Sequence, residues 1–288
     1  MGKAYQIAKN TFRESIRDKI LYVIAFFAAV MMFSSLALGW ISIGDQLQVV
    51  QDFSLAVLSF FGALMAVFVG TGLIYKEIDK RTIYTILSKP VRRWQFLLGK
   101  YLGLLSVLGI AMLGMLVAAL LFVMYAAYTA QFSPIEDWTQ RVNWGWFSMA
   151  VVMLFFELMV VVSLAMFFGC ISSPILSAIF TFTAYLVGQV SYTINYMFTT
   201  FKPVTESVAS VTGESLTDFA SNTYFLLKPL SVLIYYILPD LQHFQIRNQV
   251  VLGPAPTVSQ ILVGMAYGIG YSAAVILLTS LLFDRKRF

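Results

Sequence analysis

Few side chains in this sequence have chemistry to offer, and most of those lie within or between long apolar runs. Glu157 sits mid-way along the run from Phe147 to Phe168, where an ionised carboxylate is costly unless it is protonated, paired or facing a cavity. Two readings stand side by side: a proton-relay or path-lining group, and a neutral, hydrogen-bonded Glu in a helix interface. His243 is the single histidine and Cys170 the single cysteine. Neither a shared metal cage nor an intramolecular disulfide can be built from them, so His243 reads as a polar residue of the outer surface and Cys170 as a small packing residue. No Gly-x-x-x-x-Gly-Lys-Ser/Thr phosphate loop occurs, since Gly99-Lys100 is followed by Tyr101 and lacks the upstream glycine. No Gly-x-Ser-x-Gly or His-Glu-x-x-His arrangement is present either. The residues describe a chain without a hydrolytic site of its own.

The elements that must position these groups are membrane spans. Of 288 residues, 59% are hydrophobic, 16% aromatic and only 11% charged, against about 25% charged in soluble domains. That composition predicts an all-α, polytopic membrane protein forming one domain over residues 1–288, with no room for a large soluble enzyme domain. The net charge of +5 does not point to nucleic acid, because the cations lie beside the spans and not along a soluble surface.

Taken in order, Gly2 to Lys19 places Tyr5, Ala8, Phe12 and Ile16 on one helical stripe and Lys9, Arg13 and Arg17 on another. This predicts an interfacial amphipathic helix over residues 1–19. Ile20 to Ile43 follows as an uncleaved first span, and Gly44 to Asp52 as a polar outer turn. The second span, Phe53 to Ile74, carries Gly62, Ala63, Gly70 and Gly72 for close helix packing. Val91 to Ala130 holds the third, and Gln131 to Asn143 an outer loop. The fourth ends near Cys170, and the uncharged turn Gly169 to Pro174 makes it a tight pair with the fifth, Ile175 to Thr200. Phe201 to Thr257 forms an extracytoplasmic region, and Val258 to Phe283 the sixth span.

Charge selects six spans over seven. Five cations precede Ile20, seven lie between Tyr75 and Lys100 and three follow Phe283, leaving Arg141, Lys202, Lys228 and Arg247 for the other side. With six spans both termini and the basic loop share the cytoplasmic side, as the positive-inside bias requires. The apolar core Leu230 to Leu238 is too short to cross and is bracketed by Lys228, Pro229 and Pro239. Residues Tyr224 to Leu241 therefore read as a re-entrant or surface-lying outer element. Gln189, Ser191 and Asn195 give the fifth span a polar stripe, suited to a lumenal or dimer-facing surface or to packing between helices.

The basic loop, YKEIDKRTIYTILSKPVRRWQFLLGK, has internal order. Ile74, Ile78, Ile83, Ile86 and Leu87 recur at roughly helical spacing with Lys76, Glu77, Asp79, Lys80 and Arg81 between them, which predicts a short amphipathic helix at the membrane surface. Ser88-Lys89-Pro90 then breaks it before the next helix begins. Lys76-Glu-Ile-Asp-Lys-Arg-Thr-Ile followed by Leu87-Ser-Lys-Pro-Val-Arg-Arg-Trp resembles the cytoplasmic loop of ABC-2 type transporter permeases, in particular the multicopper-enzyme maturation permeases. The likeness is strongest from Leu73 to Gly103.

The resemblance implies a permease subunit in the cytoplasmic (inner) membrane of a prokaryote. Residues 75–96 would be a coupling region that docks a separate ABC ATPase, with Glu77, Ile78, Asp79, Lys80, Arg81 and Thr82 as contacts. ATP and Mg would bind at that ATPase and no cofactor at this chain. A second permease subunit, identical or paralogous, would complete a dimer, and helices within residues 201–257 would dip into the outer leaflet. Export of a substrate is the activity implied; Glu157, Gln189 and Asn195, distinguished by their own polarity, are the candidate translocation path. Membrane lipid is the other partner expected; Thr205 to Asn222 reads most simply as a flexible loop, with an extracytoplasmic partner as the alternative. An ATP-independent secondary transporter or membrane assembly factor using Glu157 is the alternative.

Overall fold

In the computed structural model, residues 2–41, 46–79, 93–130, 143–191, 193, 238–252 and 255–285 are described. Their regular elements are helices: α1 (Gly2–Ser15), α2 (Lys19–Ile41), α3 (Gln46–Asp79), α4 (Arg93–Ala130), α5 (Trp144–Ile171), α6 (Pro174–Ser191), a 3-10 turn at Leu241–Phe244, α7 (Arg247–Leu252) and α8 (Val258–Arg285). Six of them, α2 to α6 and α8, contain stretches long and apolar enough to cross a membrane. By internal packing the chain divides into two units, one formed by Met1–Phe182 with Phe244–Phe288 and the other by Thr183–His243.

In the first unit α5 is the central helix, packed against α3, α4, α7 and α8. Its spanning window is 67% buried and that of α3 is 61% buried, whereas the others are 22–33% buried. Small residues make the α3 and α5 contact close. A Cβ at Gly62 would stand 2.9 Å from Leu158 Cδ1, and one at Gly70 would stand 2.7 Å from Ala165 Cβ. Without a hydrophobic driving force between helices in lipid, such close backbone approach and van der Waals contact hold spans together. Buried hydroxyls return to their own helix: Ser54 donates to Val50 O at 2.7 Å, Thr71 to Val67 O at 2.8 Å and Ser163 to Val160 O at 2.7 Å. Polar atoms are thereby satisfied where water is absent.

Helix ends follow capping chemistry. Asn143 caps α5 by accepting from Trp146 N–H at 3.2 Å, Asp18 accepts from Ile20 N–H at 3.1 Å at the start of α2, and Gln260 folds back on Thr257 N–H at 3.2 Å before α8. Ser172 N–H reaches Phe168 O at 2.9 Å to close α5, and Pro174 opens α6 two residues later.

Two expectations change. Gln46 to Asp52, read as a polar turn, are helical and form the first turns of α3, because their side chains are polar but none of them breaks a helix. The helix also runs unbroken through Ile74 to Asp79, so no separate surface helix begins at Ile74; Lys80 to Arg92 lie outside the described residues. On α1 the Tyr5 side chain is 70% exposed, so it is not part of the face that packs on protein. Its packed face is Ala4, Ile7, Ala8 and Thr11, set against Gly99 and Gly103 of α4, where added Cβ atoms would come within 2.6–2.9 Å of α1. Two glycines four residues apart strip side chains from one strip of α4, and α1 fills the strip with its smaller face. Lys9, Arg13 and Arg17 remain exposed along the opposite side.

Candidate functional site

The coupling candidates fall at the end of α3. A helix of 34 residues rises about 1.5 Å per residue, giving roughly 50 Å, well over the ~30 Å hydrocarbon core. Its spanning stretch ends at Gly72, and Glu77, Ile78 and Asp79 occupy the last turn, beyond it. These residues share one continuous helix with Gly62 and Gly70, which make the close contact with α5. Lys80, Arg81 and Thr82 lie outside the described residues.

At the start of α4 the glycine strip positions a second group. Lys100, between Gly99 and Gly103, is only 2% exposed and its Nζ stands 5.7 Å from the centre of the Phe96 ring, a cation–π geometry. Nearby Tyr101 donates its hydroxyl to Met159 O of α5 at 3.1 Å. Thus α1, α4 and α5 are joined in series at the end of the bundle where α4 begins.

Glu157 is 1% exposed and lies at the mid-point of α5, the most buried helix. The structure therefore supports its reading as an intramembrane acid, a position such residues occupy only when their surroundings accommodate them. Gln189 belongs to the second unit, where its backbone carbonyl accepts from Gln242 Nε2 at 2.9 Å; the same amide nitrogen reaches Thr193 Oγ1 at 3.0 Å. Asn195 lies outside the described residues, as do residues 224–237 of the expected outer element.

Two polar constellations were missed from sequence. Within the second unit, His243 Nδ1 is 3.2 Å from Asp240 Oδ2, and Asp240 Oδ1 accepts from Gln242 N–H at 3.1 Å. His243 is exposed and has an acid partner; the signal for the pairing was the acid three positions before it, following Pro239. In the first unit, Arg247 at the start of α7 grips Asp52 of α3 through Nε and, at 2.7 Å, through Nη2. Nothing local in sequence links residues 195 positions apart. Beside this pair lies a cavity of about 210 Å³ walled by Leu55, Ser59, Leu154, Phe244, Gln245 and Arg247. Among the described residues no group of three His, Cys, Asp or Glu side chains converges on a metal position.

Comparison with known proteins agrees with the architecture. Residues 5–288 match the family described as ABC-2 family transporter protein. No curated protein matches the chain. Since the match spans nearly every residue, including all six apolar helices and the extended α3, the chain belongs to the ABC-2 family of transporter proteins.

Proposed function

We propose that this chain, a multi-pass membrane subunit of an ABC transporter, is a permease that exports its substrate using ATP hydrolysed by a separate ATPase. It works as one of two permease subunits in the cytoplasmic membrane with both termini inside. ATP and Mg belong to the ATPase partner. The observation that carries this reading is the match over residues 5–288, and α3 supports it mechanically by running past its span to Asp79.

In this reading ATP binding brings two ATPase subunits together, and their motion enters each permease through Glu77 to Thr82. The rigid α3 passes it to α5, and α1 moves with α4 through the Gly99 and Gly103 strip. An outward opening of the permease pair follows. Charged side chains on a helix anchored in the bundle suit an ATPase groove, because they contact the partner while the helix backbone carries the load. The double variant Glu77→Ala with Arg81→Ala is expected to insert normally while lowering ATP hydrolysis by the assembled complex; full hydrolysis and transport in that variant would count against the assignment.

Burial of Glu157 favours one second reading, an ATP-independent carrier with Glu157 as its proton relay. Transport that persists without nucleotide, follows a pH gradient and is lost in Glu157→Gln would select it. Nucleotide-dependent transport indifferent to Glu157→Gln would reject it.

A further inference from the structure

An apolar groove of about 470 Å³ lies within the first unit between α2, α3 and the start of α6, in the ~300–1,000 Å³ range of ligand clefts. Among its lining residues, Ile20, Gly72 and Pro174 stand at the ends of three spanning stretches, Lys19–Gly39, Leu47–Gly72 and Pro174–Ser191. That end of the groove, taken as its mouth, therefore lies at a membrane surface. The groove continues to Leu64 and Phe182, eight residues from the mouth along each helix, or about 12 Å at the helical rise. That depth is close to one leaflet of a hydrocarbon core ~30 Å thick.

The walls are dry. Thr71 is the one hydroxyl side chain among the lining residues, and it is donated to Val67 O. Ile175 is 76% exposed and Ile20 and Phe68 nearly half exposed, so the groove opens sideways toward the acyl region. At Gly72 an added Cβ would find nothing within 4 Å; the glycine leaves the groove unfilled.

Charge lies next to this end in the chain. Arg17 and Lys19, three residues and one residue before Ile20, are both exposed, while the intervening Asp18 is turned to cap α2 through Ile20 N–H. Arg13 is exposed one turn earlier on α1. Cations at headgroup level above an apolar channel one leaflet deep match a phosphate joined to an acyl chain. We propose that this groove is a binding site for a resident anionic phospholipid of the adjoining leaflet, one acyl chain lying between Phe68 and Ile175 and the phosphate held by Arg17 and Lys19. The inference rests on the six-span architecture and is independent of the ATPase partner, so either can fail alone.

The test is native mass spectrometry of the full chain purified in mild detergent and titrated with phosphatidylglycerol or phosphatidylcholine. Wild type should retain one phosphatidylglycerol at least tenfold more tightly than phosphatidylcholine. Gly72→Phe, which fills open space, should lose that retention by at least tenfold; Ile175→Trp, filling the groove from the opposite wall, is the second variant should Gly72→Phe fold poorly. Arg17→Gln with Lys19→Gln should abolish the preference between the two lipids. Equal retention by wild type and both groove-filling variants would overturn the proposal. So would loss of a dimer in those variants with lipid retention unchanged, because the groove would then be an interface between copies.

Discussion

Arg247 and Asp52 form a two-armed ion pair, Nε and Nη2 of the guanidinium each meeting one carboxylate oxygen. The pair ties α7 to the first turns of α3, and both side chains are a little over one-third exposed. Planar, bidentate geometry favours arginine over lysine here. Partial exposure limits its worth to about 1 kcal/mol or less.

Removing either partner tests that estimate. Asp52→Asn and Arg247→Gln should each lower the thermal midpoint of the detergent-solubilised protein, and a double-mutant cycle should return a coupling of about 0.2–1 kcal/mol. Exchange of the charges, Asp52→Arg with Arg247→Asp, should recover part of the loss. Strict additivity of the single effects would show that the pair contributes nothing.

The glycine strip of α4 makes a sharper prediction. A Cβ at Gly103 would stand 2.6 Å from Thr11 Cβ and 2.7 Å from Ala8 O, a contact that forces α1 away. Gly103→Leu should therefore expose α1 to trypsin at Arg13 and Lys9 at least tenfold faster, while the six spans still insert. Gly114→Leu on the same helix, where an added Cβ meets nothing within 4 Å, is the matched control. Equal cleavage of the two variants would show that α1 is not held by this strip.

Sidedness can be read with single cysteines on a Cys170→Ala background, since Cys170 is buried. Ser173→Cys, in the exposed turn between α5 and α6, and Arg17→Cys should react with impermeant reagent only from the cytoplasmic side. Gln48→Cys and Gln245→Cys, both exposed and joined to the Asp52 and Arg247 end of the first unit, should react only from outside. Labelling of Ser173→Cys and Gln245→Cys from one side would break the six-span topology.

The spans were legible because their signals are local. Trp144 opens α5 directly after the capping Asn143, Pro174 opens α6, and the apolar run before Ala130 is uninterrupted, so length and turn chemistry decided each position. Glu157 was equally legible as a buried acid, being the one charge in its run. Boundaries failed where polarity and helicity part company: Gln46 to Asp52 are polar yet helical, and Ile74 is an apolar position within a helix that simply continues. The face of α1 that packs on protein could not be read from its own sequence. The decisive residues were Gly99 and Gly103, whose missing side chains on a distant helix make a place for Ala4, Ala8 and Thr11. Asp52 with Arg247 is a tertiary pairing that no periodicity encodes. Asp240 with His243 is a local pairing at i, i+3 spacing, legible in principle, although one acid and one imidazole make no metal site and so carry little signal.

The proposed source of energy for this permease is a separate ABC ATPase. The most direct measurement is purification of the tagged full chain from its native host in mild detergent, with identification of co-purifying proteins and assay of ATP hydrolysis. An ABC ATPase in stoichiometric amount, hydrolysis by the complex, and loss of hydrolysis when the ATPase is stripped away are expected. A pure homo-oligomer that transports without nucleotide would contradict it.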